Sequence, residues 1–202
     1  MPARIDKTVV SGVFSLDGQD FDVDNNVWLV GDDDEVLVID APHDVAPIVE
    51  AVAGRRVAAI VLTHGHNDHI TAAVALREAT GAPIWFNPED RMLWDVVHPA
   101  AAPDHDLTEG TAFDVAGTTL VAVATPGHSP GSTCLYAADL GTVFSGDTLF
   151  CGGPGATGRS YSDHPTIVES IRTRLLTLPG DTVVRTGHGA DTTIAAEIAN
   201  VS

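Results

Sequence analysis

The order of apolar and polar residues predicts strands and helices in the first half of the chain. Runs rich in Val, Ile, Leu, Trp and Phe are typical of strands, and the acidic segment 31–34 is typical of a hairpin turn. Asp44 and Gly54 are suited to begin and end a helix between them. The predicted elements are strands at 8–14, 26–30, 35–39 and 57–62, and helices at 45–53 and 70–80.

The second half repeats this order of strands followed by helices. Its predicted strands are at 84–86, 112–115, 119–124, 133–137, 142–145 and 182–185, its helices at 88–97, 165–178 and 192–199, and its loop at 98–109. Ile167, Ile171 and Leu175 share one face of the predicted helix at 165–178. Since no linker or repeat interrupts the pattern, we predict a single α/β domain over residues 1–202, with helices covering stacked sheets.

Composition excludes several classes of function. The net charge of −18, with one lysine and nine arginines, disfavours binding to nucleic acid. No apolar stretch approaches the ~20 residues of a membrane span, and residues 1–7 do not resemble a signal peptide. Two cysteines that form no C-x-x-C motif cannot build a disulfide framework. We therefore expect a cytoplasmic protein with no membrane or nucleic-acid partner; the oligomeric state stays open.

Candidate chemistry is concentrated directly after the apolar run at 57–62. The sequence T-H-G-H-N-D-H places His64, His66, Asp68 and His69 within six residues. Imidazole nitrogens and carboxylate oxygens together suit zinc, iron or manganese. Burying these groups without a cation costs several kcal/mol, on the order of the penalty for any unpaired buried polar group. The pattern therefore predicts a metal site.

Three more motifs follow predicted strands on glycine-flanked loops. They are T-P-G-H-S-P-G-S, S-G-D-T and G-H-G, which contribute His128, Asp147 and His188. The seven candidate ligands exceed what one tetrahedral zinc needs, and they suit two metals that share one carboxylate and one water. Structural zinc sites often use cysteine ligands, and no cysteine belongs to this set. The pattern favours a catalytic centre with two metals.

These four motifs, in this order and spacing, resemble the metallo-β-lactamase superfamily over nearly the whole chain. The resemblance implies an αββα sandwich with the metals at one edge of two packed sheets. It also implies a ligand set in which Asp147 bridges both metals. The first metal would be held by His64, His66 and His128, and the second by Asp68, His69 and His188.

Within the superfamily, the segment G-D-T-L-F followed by G-R-S-Y looks most like glyoxalase II. That resemblance implies that Arg159 and Tyr161 bind the thiol-carrying part of the substrate. A bridging aspartate at Asp147 argues against a dedicated β-lactamase, since the commonest class of these enzymes has cysteine there. Full-length glyoxalase II carries a C-terminal helical extension that this chain is expected to lack. The carrier is therefore left open between glutathione and another low-molecular-weight thiol, such as mycothiol.

The resulting expectation is a dinuclear hydrolase that acts on small-molecule thioesters. Its metals are expected to be zinc, with iron or manganese as alternatives. Asp68 is the candidate catalytic residue, because a carboxylate beside a metal can orient water or accept its proton. The alternatives are a persulfide dioxygenase with one iron bound by two histidines and one aspartate, a lactonase, and a metal-binding scaffold without activity.

The other histidines are interpreted as structural or peripheral. His43 follows a predicted strand and is expected to cap or to form local hydrogen bonds rather than to line the site. His98 and His105 are expected to be exposed to solvent. His164 lies near Arg159 and Tyr161 in sequence, but a contact with substrate is the less favoured interpretation.

Overall fold

Two six-stranded sheets face each other in the computed structural model, which describes residues 2–201. The strand order of the first sheet is β1-β2-β3-β4-β5-β6, and that of the second is β14-β13-β10-β9-β8-β7. The strands of the first sheet are β1 Arg4–Leu16, β2 Gln19–Gly31, β3 Glu35–Ile39, β4 Arg56–Val61, β5 Ile84–Phe86 and β6 His105–Asp106. Those of the second are β7 Ala112–Val115, β8 Thr118–Ala124, β9 Thr133–Ala137, β10 Thr142–Gly146, β13 Val183–Thr186 and β14 Thr192–Thr193.

Helices cover the outer face of each sheet. They are α1 Val45–Val52, α2 Asn67–Ile70, α3 Ala73–Thr80, α4 Arg91–Val97, α5 His164–Ser170 and α6 Ile194–Glu197. A small separate ribbon consists of β11 Leu149–Phe150 and β12 Gly153–Pro154. Within the described residues, no helix is long and apolar enough to cross a membrane.

Alternation along β3 explains the layering. Val36 and Val38 belong to the core beneath the first helical layer, whereas Leu37 and Ile39 belong to the core between the two sheets. Successive side chains of a strand point to opposite faces, so a strand buried on both sides carries apolar residues at every position. A third core lies beneath α5. The predicted single αββα domain is confirmed.

The first two strands are much longer than predicted. β1 and β2 each have 13 residues and pair along their whole length around a turn at Asp17 and Gly18. Both turn residues have positive φ, at 54° and 71°, as tight hairpin turns require. The outer half of β2 has polar residues at most positions, because that end of the hairpin is largely exposed to solvent. Its apolar pattern was therefore too weak to extend the predicted strands.

Three predicted helices are interrupted. The helix predicted at 70–80 is divided into α2 and α3, because the backbone N–H of Ala72 donates to Ala41 O at 2.9 Å. The helix predicted at 165–178 continues beyond α5 only as a π-helical turn, Ile171–Leu175, although Ile167, Ile171 and Leu175 all face the core as expected. The last predicted helix is shorter, because Thr192–Thr193 pairs with β13 instead.

The helix predicted at 88–97 begins with a 3-10 turn over Pro88–Asp90, and only α4 is α-helical. The predicted loop at 98–109 contains the short strand β6, which pairs with β5. His105 is exposed as expected. The expectation for His98 is wrong: its ring is half-buried against Trp94, and its Nε2 donates to Ile70 O at 2.8 Å.

Candidate metal centre

All seven predicted ligands meet at one edge of the two sheets. Each follows the end of a strand: the histidine-rich segment follows β4, His128 lies in the loop after β8, Asp147 follows β10 and His188 follows β13. α2 begins just after His66 and presents Asp68 and His69 from its first turn. The ligand atoms form three groups within 4.8 Å, namely His64–His66–His128, His64–His69–Asp147 and Asp68–His69–His188.

The first cluster consists of three buried histidines. The Nε2 atoms of His64 and His128 each lie 3.0 Å from Nδ1 of His66. A tetrahedral zinc with nitrogen ligands at ~2.0–2.1 Å has ligand–ligand distances of about 3.3 Å. The three nitrogens are therefore spaced nearly as ligands of one small cation.

The second cluster consists of Asp68, His69 and His188. Nε2 of His188 lies 3.2 Å from Nε2 of His69 and 3.3 Å from Oδ2 of Asp68. The remaining distance, from His69 Nε2 to Asp68 Oδ2, is 3.6 Å. This triangle also has the size expected for the ligands of one metal ion.

Asp147 lies between the two clusters. Its Oδ1 is 3.3 Å from His69 Nε2, while its Oδ2 is 3.4 Å from His188 Nε2 and 3.6 Å from His128 Nε2. A Cβ at Gly187 would approach Asp147 Oδ1 to 2.2 Å, so the glycine before His188 leaves room for this carboxylate. The geometry matches a carboxylate shared by two sites.

Hydrogen bonds outside the clusters orient two of the histidines. His128 Nδ1 donates to Ala156 O at 2.8 Å, and His188 Nδ1 donates to Asp24 O at 2.9 Å, because a carbonyl oxygen only accepts. With Nδ1 engaged in this way, Nε2 of each ring faces its cluster. Such outer hydrogen bonds commonly fix the tautomer of metal-binding histidines.

Asp40 orients two more of the candidate ligand histidines. It accepts hydrogen bonds from His69 Nδ1 at 2.8 Å and from the Thr63 hydroxyl at 2.9 Å. Because the hydroxyl donates to Asp40, its oxygen accepts from His64 Nδ1 at 3.2 Å. His64 and His69 therefore also present Nε2 to the clusters.

The donor set fits metal ions. Ring nitrogens of five histidines converge on the two clusters, and Oδ1 of both Asp68 and Asp147 is buried without a hydrogen-bond partner among the described residues. Buried carboxylates without enough hydrogen-bond partners are costly, whereas a cation at each cluster would compensate their charge. The ligand atoms of all seven residues already lie in groups within 4.8 Å.

Electrostatics in the site agree with that fit. Burial lowers the pKa of His64 well below its usual value and the pKa of His66 to about 3, so both rings are neutral. Burial opposes the charge of Asp147, but His69 and His188 hold its pKa well below the usual range. Burial likewise opposes the charged form of His188, yet Asp147 and Asp68 raise its pKa to about 10. The carboxylates thus favour positive charge at the second cluster.

Sequence reasoning missed two buried carboxylates that hold the ligand loops. Asp40 directly follows β3 at the same sheet edge, and this position at the end of a strand could have identified it from the sequence. Asp90 accepts from Gly65 N at 2.7 Å, Ser129 Oγ at 2.6 Å and Gly131 N at 2.6 Å. It therefore joins the loop of His64 and His66 to the loop of His128. Nothing in its local sequence distinguishes it from a surface carboxylate.

Replacing Asp90 with Ala should lower the free energy of unfolding by about 3–5 kcal/mol, because three buried donors lose their acceptor. Asp90→Asn should lose less, since one acceptor oxygen remains. Urea unfolding of both variants measures the difference. A loss below 1 kcal/mol for Asp90→Ala, on the order of a single exposed hydrogen bond, would contradict this role.

A pocket of about 570 Å³ opens over both clusters. His66, Asp68, His128, Asp147 and His188 form its polar side. Its apolar walls come from Phe14, Val23, Phe150 and Ala156. Phe14 packs against His66 with ring centroids 5.1 Å apart. No lysine or arginine lines this pocket among the residues that the structure describes.

The two predicted substrate-binding residues lie near the pocket but do not line it. The Arg159 guanidinium lies 4.6 Å from the Phe21 ring centroid and donates to Gln19 Oε1 at 3.0 Å. Tyr161 is 53% exposed and lines a neighbouring groove that also reaches His66. Both residues belong to a loop that rests on the tip of the β1–β2 hairpin.

His43 departs from its expected local role. Its Nε2 lies 2.8 Å from Oδ1 of Asn25, 18 residues away in sequence, while Asp44 caps α1. Asn25 in turn contacts the second cluster. No expectation was made for Asn25, because an isolated asparagine in a strand carries no recognisable motif.

Comparison with known proteins gives concordant results. A family model described as "Metallo-beta-lactamase superfamily" matches residues 21–188. The chain is 31% identical to hydroxyacylglutathione hydrolase GloC of Haemophilus influenzae over 188 residues, which cover 85% of this chain and 89% of that protein.

Two solved structures are similar in fold and sequence. The B3 metallo-β-lactamase BLEG-1 superimposes with a TM-score of 0.80 at 28% identity, covering 95% of this chain and 98% of the other. TTHA1623 in a di-iron-bound form gives a TM-score of 0.76 at 31% identity, covering 88% and 94%.

Proposed function

Because the chain belongs to the metallo-β-lactamase superfamily, we propose that it is a dinuclear metal-dependent hydrolase of small-molecule thioesters. The observation that carries the proposal is the position of Asp147 between two clusters of ligand atoms at the base of one pocket. The similarity to a hydroxyacylglutathione hydrolase supports a thioester of a low-molecular-weight thiol as the substrate.

The residues of the first cluster would hold one metal and those of the second cluster the other, with Asp147 shared. Metals bound in this way lower the pKa of water and polarise a carbonyl oxygen. Nitrogen and oxygen ligands without cysteine suit zinc, and they accept iron or manganese as well. The di-iron form of TTHA1623 keeps iron among the candidates.

Asp68 is the residue that we assign to proton transfer. Asp68 lines the pocket, and its Oδ1 is a buried oxygen that forms no hydrogen bond within the described residues and so remains available as a proton acceptor. Its other oxygen accepts a hydrogen bond from Asn25 Nδ2 at 3.1 Å, which fixes the orientation of the carboxylate. Burial raises the pKa of Asp68, but His69, His188 and Asn25 together outweigh that effect and lower it.

The walls of the pocket suit an uncharged acyl group. Phe14, Val23 and Phe150 would exclude water from the acyl chain while its carbonyl faces the ligand cluster. Arg159 and Tyr161 would hold the carrier part of the substrate at the pocket mouth and so contribute orientation rather than chemistry.

Arg159→Ala should raise KM for a thioester with an anionic carrier about 10-fold and leave kcat within about twofold, because remote binding is lost uniformly. Arg174 supplies the control, since it is an exposed arginine that pairs with Glu109 away from the pocket. Steady-state kinetics of both alanine variants tests this. An unchanged KM, or a loss confined to kcat, would remove Arg159 from the binding site.

The rival functions make different predictions. A persulfide dioxygenase would hold one iron and consume oxygen, a lactonase would open acyl-homoserine lactones, and a scaffold would bind metal without turnover. The likeness to BLEG-1 adds β-lactam hydrolysis as a further candidate. One panel of substrates distinguishes them: acyl thioesters of glutathione and of neutral thiols, a lactone, a β-lactam and a persulfide. The proposal requires thioesters to give the highest kcat/KM by at least tenfold.

A further inference from the structure

A buried amide lies directly behind the second cluster. Asn25, on β2, is fully buried, and its Nδ2 lies 3.1 Å from Asp68 Oδ2, 3.3 Å from His69 Nε2 and 3.4 Å from His188 Nε2. The amide nitrogen therefore contacts all three residues of this cluster. An isolated backbone bridge between Asn25 and His188 fixes the strand against the His188 loop.

The orientation of this amide follows from its partners. A carboxylate only accepts hydrogen bonds, so the NH₂ group faces Asp68 and the carbonyl oxygen faces the opposite side. There, His43 Nε2 lies 2.8 Å from Asn25 Oδ1 and must donate to it. His43 thus fixes which end of the Asn25 amide reaches the second cluster.

The chain makes room for His43 in an unusual way. His43 has a φ of 46°, a conformation that residues other than glycine rarely adopt. A Cβ at Gly12 on the neighbouring strand β1 would lie only 2.3 Å from the His43 ring. The ring is therefore held in a space that a glycine leaves open, and a strained backbone held by its surroundings often marks a functional position.

From these contacts we propose that Asn25 and His43 are positioning residues for the second metal, and that they set its affinity separately from the first. The inference rests on the proposed two-metal centre. Within the described residues Asn25 forms no hydrogen bond with His64, His66 or His128, whose loops are supported by Asp40 and Asp90. Loss of an outer hydrogen bond of this kind typically weakens metal binding by about 10–100-fold.

His43→Ala tests the inference, with His98→Ala as the matched control. Both histidines are half-buried and use Nε2 in one hydrogen bond, but His98 contacts Ile70 O rather than the metal centre. Stepwise chelator titration of the metal-loaded proteins, followed by native mass spectrometry, gives the dissociation constant of each metal. His43→Ala should raise the dissociation constant of the second metal about 10–100-fold and leave that of the first metal unchanged. His98→Ala should match the wild type.

Two further variants separate positioning from stability. His43→Gln supplies an amide donor of similar reach and should recover most of the affinity for the second metal. Gly12→Ala keeps His43 but crowds its ring, so it should reproduce the selective loss seen in His43→Ala. Thermal unfolding of each loaded variant, compared with His98→Ala, shows whether stability alone accounts for the change.

Three outcomes would overturn the inference. One is equal retention of both metals in His43→Ala and His98→Ala, and another is equal weakening of both metals in His43→Ala. The third is a failure of His43→Gln to recover affinity while it unfolds at the wild-type temperature. A wild-type protein that binds only one metal would instead refute the proposed two-metal centre, and this inference with it.

Discussion

Replacing Asp147 with Asn should reduce kcat at least about 10³-fold, equivalent to roughly 4 kcal/mol of transition-state stabilisation. Both carboxylate oxygens face ligand atoms: Oδ1 faces His69, and Oδ2 faces His188 and His128. An amide of the same size keeps only one oxygen, and its NH₂ group cannot serve as a ligand. The variant should therefore also lose metal.

The control for this variant is Asp114→Asn, because Asp114 is an exposed carboxylate that accepts a hydrogen bond from Thr119 far from the pocket. Asp114→Asn should keep wild-type turnover and metal content. Steady-state kinetics and elemental analysis of both proteins provide the measurement. Full metal occupancy together with wild-type turnover in Asp147→Asn would refute the assignment of Asp147 as the shared ligand.

Replacing Asp68 with Asn should lower kcat by about 10²–10⁴-fold, the usual contribution of a positioned proton acceptor. Asp68 lines the pocket, and the substitution replaces one of its carboxylate oxygens with an NH₂ group that can neither accept a proton nor bind a metal. Asn at this position keeps one oxygen that can still accept from Asn25 Nδ2, so the contact that orients the side chain is preserved.

The readout for Asp68 needs a measurement beyond the rate. The content of the second metal shows how much of the loss in kcat comes from weaker metal binding. Turnover at saturating metal concentration shows how much of it comes from lost proton transfer. Activity within about tenfold of the wild type at full occupancy would remove Asp68 from the chemistry and leave it as a ligand only.

The metal-binding residues could be predicted from the sequence because their signal is local. Three ligands follow strands on glycine-flanked loops, and the other four lie within one short segment after β4. Carboxyl ends of strands that run in the same direction meet at one edge of a sheet, so residues at these ends converge without long-range information. Apolar runs such as 57–62 likewise predict buried strands from their own composition.

The support around the ligands could not be predicted in the same way. Asp40, Asp90 and Asn25 act through long-range contacts that leave no periodicity in the chain. The helix predicted at 70–80 was divided for a similar reason, since the bond from Ala72 to Ala41 depends on tertiary packing. Local propensity is readily overridden by such contacts.

The hairpin tip is the part of the site that sequence analysis described least. Acidic residues alternate with apolar ones at this end of β2, and the exposed residues before position 26 form no continuous apolar run. Yet Phe14 from this hairpin forms a wall of the pocket, and Phe21 holds Arg159. The roles of Arg159 and Tyr161 therefore stay predictions, to be decided by the kinetics of their variants.

The central claim is that this chain hydrolyses thioesters at a centre of two metals. The most direct test measures the metal content of the purified protein together with turnover on acyl thioesters and oxygen uptake on a persulfide. We expect two metal ions per chain, thioester hydrolysis and no oxygen uptake. One iron per chain with oxygen consumption, or tight metal binding without turnover of any thioester, would contradict it.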